Sequence, residues 1–151
     1  MAVKVGDSAP NFTLRSNKGR SVKLESLYTQ KPVVLYFYPK DNTPGCTKEA
    51  CWFRDSYEVF QKLGAEVVGI SSDSVESHKE FAASHNLPFE LLSDENDQVR
   101  KKYGVPSTLG ILPGRVTYII DKKGIVQEIF SSQLNVNGHI KAAIQTLEEL
   151  K

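Results

Sequence analysis

Val33-Val-Leu-Tyr-Phe-Tyr38, followed at once by Pro39-Lys-Asp-Asn-Thr43-Pro44-Gly45-Cys46-Thr-Lys-Glu49-Ala-Cys51, is the stretch on which the fold turns. The first six residues form a continuous apolar run rich in β-branched and aromatic side chains, which predicts a buried strand. Beyond the loop, Thr47 to Leu63 places Trp52, Phe53, Tyr57, Phe60 and Leu63 at a spacing suited to one face of a helix. Both cysteines of the chain therefore fall where a strand gives way to a helix. Cys46 is expected at the helix N-terminus, where unpaired N–H groups and the positive end of the helix dipole favour a thiolate.

The spacing of the two cysteines argues against a static staple. On a regular helix, five residues of rise and about 140° of rotation put their Cα atoms roughly 8.6 Å apart. A disulfide usually holds its Cα atoms within about 6.8 Å. The pair can join only if the first helical turn unwinds, so the expected behaviour is a compact reduced form and a locally unfolded oxidised form.

Working outward, Phe12-Thr-Leu14 and Val22-Lys-Leu24 flank the turn residues Asn17-Lys-Gly19 and predict a small N-terminal hairpin. Ala65-Glu-Val-Val-Gly-Ile-Ser71 predicts a second buried strand, parallel to the first, with a right-handed crossover. Asp73 or Ser74 caps a helix running to about His85, stopped by Asn86 and Pro88, and a shorter helix runs from about Asp97 to Tyr103, stopped by Gly104. Gly104 to Gly114, with Pro106, Gly110 and Pro113, reads as a long loop able to fold back over the cysteines. Val116 to Ile120 and Ile125 to Phe130 bracket Asp121-Lys-Lys-Gly124 as a hairpin, and Asn137 to Leu150 is an amphipathic helix. The expected class is α/β of thioredoxin-like character: a central mixed sheet flanked by helices, with an N-terminal β-hairpin.

The chain has 151 residues and a net charge of +1, so one domain spanning 1–151 is expected, with a core that needs no metal or bridge. Its basic residues are dispersed, which argues against nucleic-acid binding. No apolar run approaches the roughly 20 residues of a membrane helix. The start lacks the apolar stretch of a secretory signal, and two cysteines are too few for a secreted scaffold. A cytoplasmic location is therefore expected, with a plastid or other organelle as the alternative if a transit peptide has been removed.

The motif Pro39-xxx-Thr43-xx-Cys46, with Cys51 five residues on and Pro113-Gly-Arg115 downstream, resembles the peroxiredoxin signature, and more narrowly that of the bacterioferritin comigratory protein or peroxiredoxin Q subfamily. The likeness runs from Gly6-Asp-xx-Pro10 through Leu92-Ser-Asp94 to Tyr118-xx-Asp121-xx-Gly124. It implies a thiol peroxidase in which Cys46 attacks the peroxide and becomes a sulfenic acid. By the same resemblance Arg115 supplies a fixed positive charge, and the Thr43 hydroxyl lies beside sulfur and peroxide. Glu49 orients Arg115, while Pro39, Pro44 and Gly45 line the substrate site with first-turn N–H groups. Cys51 is the implied resolving thiol, giving an intramolecular Cys46–Cys51 disulfide that thioredoxin or a similar dithiol reduces. The resemblance implies no cofactor, and C-x₄-C without a second ligand pair nearby argues against a metal site. With no C-terminal resolving cysteine, a monomer is expected, although an apolar patch near Trp52 leaves room for a weak dimer. The absence of a Gly-Gly-Leu-Gly segment implies resistance of Cys46 to sulfinic acid formation.

Blander readings accompany these. Cys51 can be an inert buried residue, Thr43 a turn residue, Glu49 a first-turn carboxylate and Arg115 a solvated cation. Tyr36, Phe37, Tyr38, Trp52 and Phe53 read as core and site wall, and His78, His85 and His139 as surface or helix-end residues without metal-ligand spacing. Two other functions stand beside the peroxidase: a general disulfide oxidoreductase, weakened by the lack of C-x-x-C spacing, and a redox-sensing binding module.

Overall fold

The structure is a computed structural model that describes residues 2–105, 107–108 and 112–151. The hairpin β1 (Thr13–Ser16) and β2 (Ser21–Lys23) is followed by a short helix α1 (Leu24–Tyr28) and the buried strand β3 (Val33–Phe37). Helices α2 (Pro44–Asp55) and α3 (Tyr57–Lys62) lead to β4 (Glu66–Ser71), α4 (Val75–His85), β5 (Glu90–Ser93) and α5 (Gln98–Tyr103). Two short strands, β6 (Ser107–Thr108) and β7 (Leu112–Pro113), precede the hairpin β8 (Val116–Ile120) and β9 (Val126–Ser131), and α6 (Val136–Glu149) ends the fold.

Seven strands form one mixed sheet in the order β2-β1-β5-β4-β3-β8-β9, with β3 parallel to β4 and antiparallel to β8. Every residue of β3 is buried, because helices cover both faces of the sheet. Its alternation divides the core in two. Val34 and Tyr36 face a layer built from α2, α3, α4 and α6 through Ala50, Phe53, Phe60, Phe81, Ile140 and Leu147. Val33, Leu35 and Phe37 face the opposite layer with Leu24, Val99 and Tyr103. Gly69 on β4 lies under Tyr36, where a Cβ would come within 2.8 Å of the ring. Thioredoxin-like architecture is thus the outcome, with β3 delivering the chain directly into the cysteine loop.

Several expectations need correction. The helix read as Thr47 to Leu63 begins earlier, at Pro44, and divides at Ser56 (φ −96°, ψ 1°) into α2 and α3. Proline is favoured at a first helical position because the N–H it lacks has no intrahelical partner there. Trp52 is 39% exposed and does not belong to the core, since it adjoins Phe53 in sequence and neighbours on a helix point about 100° apart. His78 and His139 lie in the first turns of α4 and α6 but are completely buried, contrary to a surface role, and His85 closes α4. Strand β5 and helix α1 were not expected: each is too short to show its period in sequence. Part of the predicted 104–114 loop forms the antiparallel pair β6–β7, and Pro106 and Gly110 lie outside the described residues. Among the described residues no helix is long and apolar enough to cross a membrane.

Candidate active site

Pro44 starts α2, so Cys46 is the third residue of the helix, where backbone N–H groups lack intrahelical acceptors. Cys46 is 1% exposed as a residue, and neither cysteine is in a disulfide. Arg115 enters from the start of β8 and closes the site from the far side. Its Nη2 donates to Cys46 Sγ at 3.4 Å, its Nη1 donates to Glu49 Oε1 at 2.7 Å, and its Nε donates to the Gln133 carbonyl at 3.3 Å. One turn of α2 therefore presents a thiol and a carboxylate to the same guanidinium, because residues 46 and 49 share a helix face. Gly45 leaves room for this cation: a Cβ there would lie 3.0 Å from Arg115 Nη2.

Burial alone lowers the pKa of Arg115, but Glu49 and Cys46 outweigh it and hold the guanidinium above its usual value. Glu49 is completely buried, and desolvation pushes its carboxyl up to about 7 against the opposing pull of Arg115. Its Oε2 has no hydrogen-bond partner among the described residues. His139 Nδ1 lies 3.7 Å from it. His139 Nε2 donates to the Ser132 carbonyl at 2.8 Å, which leaves Nδ1 to accept from the Thr117 hydroxyl at 2.7 Å. Burial lowers His139 to about 4, so the ring is neutral and adds no second cation.

These shifts predict a pH signature in stability. Glu49, raised from 4.5 to about 7, contributes stability below pH 4.5 that is lost as pH rises to 7. His139, lowered from 6.5 to about 4, loses stability as pH falls through the same range. The two slopes oppose one another between pH 4.5 and 6.5. In Glu49→Gln the histidine slope is left uncompensated, so stability should rise with pH by up to about 1.4 kcal/mol per unit relative to wild type. Urea unfolding across that range measures it, and parallel curves for the two proteins would exclude the assignment.

Thr43 caps α2 through its backbone carbonyl, which accepts from Thr47 N at 2.8 Å, while its hydroxyl donates to the Lys40 carbonyl at 2.9 Å. That bond fixes the oxygen with its lone pairs still available. Pro39, Thr43 and Gly45 are half-buried and Pro44 is exposed, in the loop and first helical turn that carry the chain to the buried Cys46. Cys51, one and a half turns along α2, is half-buried on another face, with Sγ 3.9 Å from His85 Nδ1.

Two supports of the site are invisible in sequence. Arg100 donates from Nη1 to the Gly114 carbonyl at 2.8 Å and from Nη2 to the Tyr38 carbonyl at 2.9 Å. It thereby ties the end of β3 to the residue preceding Arg115. In sequence it is one of three adjacent cations, Arg100-Lys101-Lys102, with nothing to mark it out. The second support anchors the loop itself. Asp41 accepts from the Tyr38 hydroxyl at 2.6 Å and the Ser77 hydroxyl at 2.9 Å, and its carboxylate lies 2.7 Å from His78 Nδ1. Asp73 accepts from the Asp41 N–H at 2.8 Å. The polar atoms of Asp41, Asp73 and His78 cluster within 4.8 Å, and these mutual bonds engage them in holding the loop.

Residues 5–129 match the AhpC/TSA family. Among curated proteins, the chloroplastic peroxiredoxin Q of Sedum lineare is 57% identical over 150 residues, covering 99% of this chain and 80% of its own length. The chloroplastic peroxiredoxin Q of Arabidopsis thaliana is 55% identical over 147 residues, covering 97% of this chain and 68% of its own. Among solved structures, the peroxidoxin BcpB of Mycobacterium tuberculosis superposes with a TM-score of 0.92 at 38% identity, covering 99% of each chain.

Proposed function

Because the chain belongs to the AhpC/TSA family, and within it to the peroxiredoxin Q proteins, we propose that it reduces hydrogen peroxide and organic hydroperoxides through Cys46, with Cys51 as resolving thiol. Thiol-dependent peroxidase activity comes with the family. The finer cycle rests above all on one observation: a single buried guanidinium donates to Cys46 Sγ while Glu49 holds it in place.

In the proposed first step the Cys46 thiolate attacks the terminal peroxide oxygen. The O–O bond breaks, water or an alcohol leaves after taking a proton, and a sulfenic acid remains on sulfur. Arg115 faces the atoms on which negative charge develops, in a site from which water is excluded. Thr43 and the first-turn N–H groups of α2 position the peroxide. Cys51 then displaces the sulfenic oxygen as water, giving the Cys46–Cys51 disulfide. The first turn of α2 opens beforehand, which releases Cys46 from Arg115 and breaks the Thr47 N to Thr43 O bond. Thioredoxin or a similar dithiol returns both sulfurs to thiols by exchange. No cofactor takes part, and a monomer suffices because both sulfurs belong to one chain. Of the two locations left open by the sequence, the names of the plant relatives favour the plastid.

Stopped-flow fluorescence tests the cycle. Trp52 is the only tryptophan, adjoins Cys51 and is already 39% exposed, so unwinding of α2 changes its environment. Reduced wild type mixed with hydrogen peroxide should show a fast peroxide-dependent phase and a slower phase independent of peroxide. Cys51→Ser should keep the first and lose the second. A wild-type response seen only at millimolar peroxide over minutes would point instead to the redox-sensing module.

A further inference from the structure

Resting on Cys51 as the resolving thiol, we propose that His85 is the general base of the resolving step, taking the Cys51 proton as the thiol attacks the Cys46 sulfenic acid. The two cysteines face different partners. Cys46 points to Arg115, whereas Cys51 points to the C-terminal end of α4, where His85 Nδ1 lies 3.9 Å from its sulfur. Arg54, three residues after Cys51 and on the same helical face, donates from Nη1 to the His85 carbonyl at 2.8 Å. This bond locks the end of α4 against α2, and Arg54 Nε donates in turn to Asp55 Oδ1 at 3.0 Å. The Phe81 ring meets the imidazole edge to face at 5.1 Å and fixes its plane. From α2 the groups that meet residue 85 are the Cys51 thiol and the Arg54 guanidinium, the latter also paired with Asp55, and from α4 itself the Phe81 ring packs on the imidazole. Arg54 faces the backbone of residue 85, so the imidazole is left to address the thiol.

Arg115 cannot serve both sulfurs, since it is buried on the Cys46 side and already engaged by Glu49. The second nucleophile needs its own base. His85 closes α4, whose carbonyl end stabilises the positive charge that the ring acquires. The step balances without any further reactant. The Cys51 proton passes to His85 Nδ1, the Cys51 sulfur forms the S–S bond, the Cys46 S–O bond breaks, and the departing oxygen takes up a proton from the imidazolium to leave as water.

The test follows both fluorescence phases in wild type and His85→Phe, a variant that keeps a flat ring against Phe81 but no base. The fast phase should be unchanged. The slow phase should fall about 100-fold, the scale of a lost general base, and added imidazole should restore it in proportion to its free-base concentration. A slow phase within about threefold of wild type overturns the proposal, as does slowing that imidazole does not relieve, which marks a purely structural role. His85→Gln carries the same comparison if the phenylalanine variant does not fold. A wild type that forms no Cys46–Cys51 disulfide by mass spectrometry overturns the resolving role of Cys51 itself, and that failure is distinct from one confined to His85.

Discussion

Cys46→Ser is expected to reduce peroxide consumption to the uncatalysed background while leaving the fold in place. The oxygen of serine cannot form a sulfenic acid, so the covalent intermediate that divides the reaction into two steps disappears. Nothing else in the chain takes its place. Cys51 faces His85 on another side of α2 and lacks the Arg115 contact. The structural cost should be small, because a hydroxyl is slightly smaller than a thiol and can accept the Arg115 Nη2 hydrogen bond in its stead. Circular dichroism and Trp52 emission like those of reduced wild type, together with no peroxide loss above buffer, are the expected results. Residual turnover of a tenth or more of wild type would move the nucleophile to Cys51.

Arg115→Met should slow the peroxide step by about 10²–10³-fold, the scale seen when a donor aimed at developing charge is removed. The same change perturbs Glu49. With Arg115 gone, both influences that pull the Glu49 carboxyl down are lost, and desolvation drives it further up from about 7. A buried carboxyl without its partner is costly, so Arg115→Met alone should also be less stable. Pairing it with Glu49→Gln removes the orphaned carboxyl, which without Arg115 stands buried as the unpaired acid. The double variant should recover much of the lost stability and none of the rate, which separates catalysis from folding. Arg115→Lys should lie between, since an ammonium retains charge but cannot reach Cys46 and Glu49 with a rigid fork. The rate of the fast fluorescence phase and urea midpoints measure both arms. Recovery of rate in the double variant would show that Arg115 acts only by neutralising Glu49.

Much of the site was legible because its parts are local. The apolar run before Pro39 and the helix after Thr43 are written in neighbouring residues, so the strand, the loop and the placement of Cys46 on the first helical turn could be read directly. Glu49, one turn on, could be read as a carboxylate at that same helix end. The break at Ser56 and the exposure of Trp52 were not legible. A run of apolar residues near helical spacing does not reveal where a helix bends, and packing of Phe53 and Phe60 against the sheet sets the rotation.

The sequence by itself determined the α/β class, the strand that feeds the cysteine loop, and a cysteine spacing too long for a disulfide on a regular helix, because each follows from periodicity and spacing along short stretches of chain. Only the tertiary structure decided what surrounds those sulfurs. Arg100 holds carbonyls from residues 38 and 114, His139 and Glu49 meet from α6 and α2, and His85 meets Cys51 from α4. These contacts join residues between 14 and 90 positions apart. In the sequence they are a few cations and histidines among many, and only the folded sheet brings them together; around Glu49, Arg115 and His139 burial also removes the water that would otherwise screen their charges.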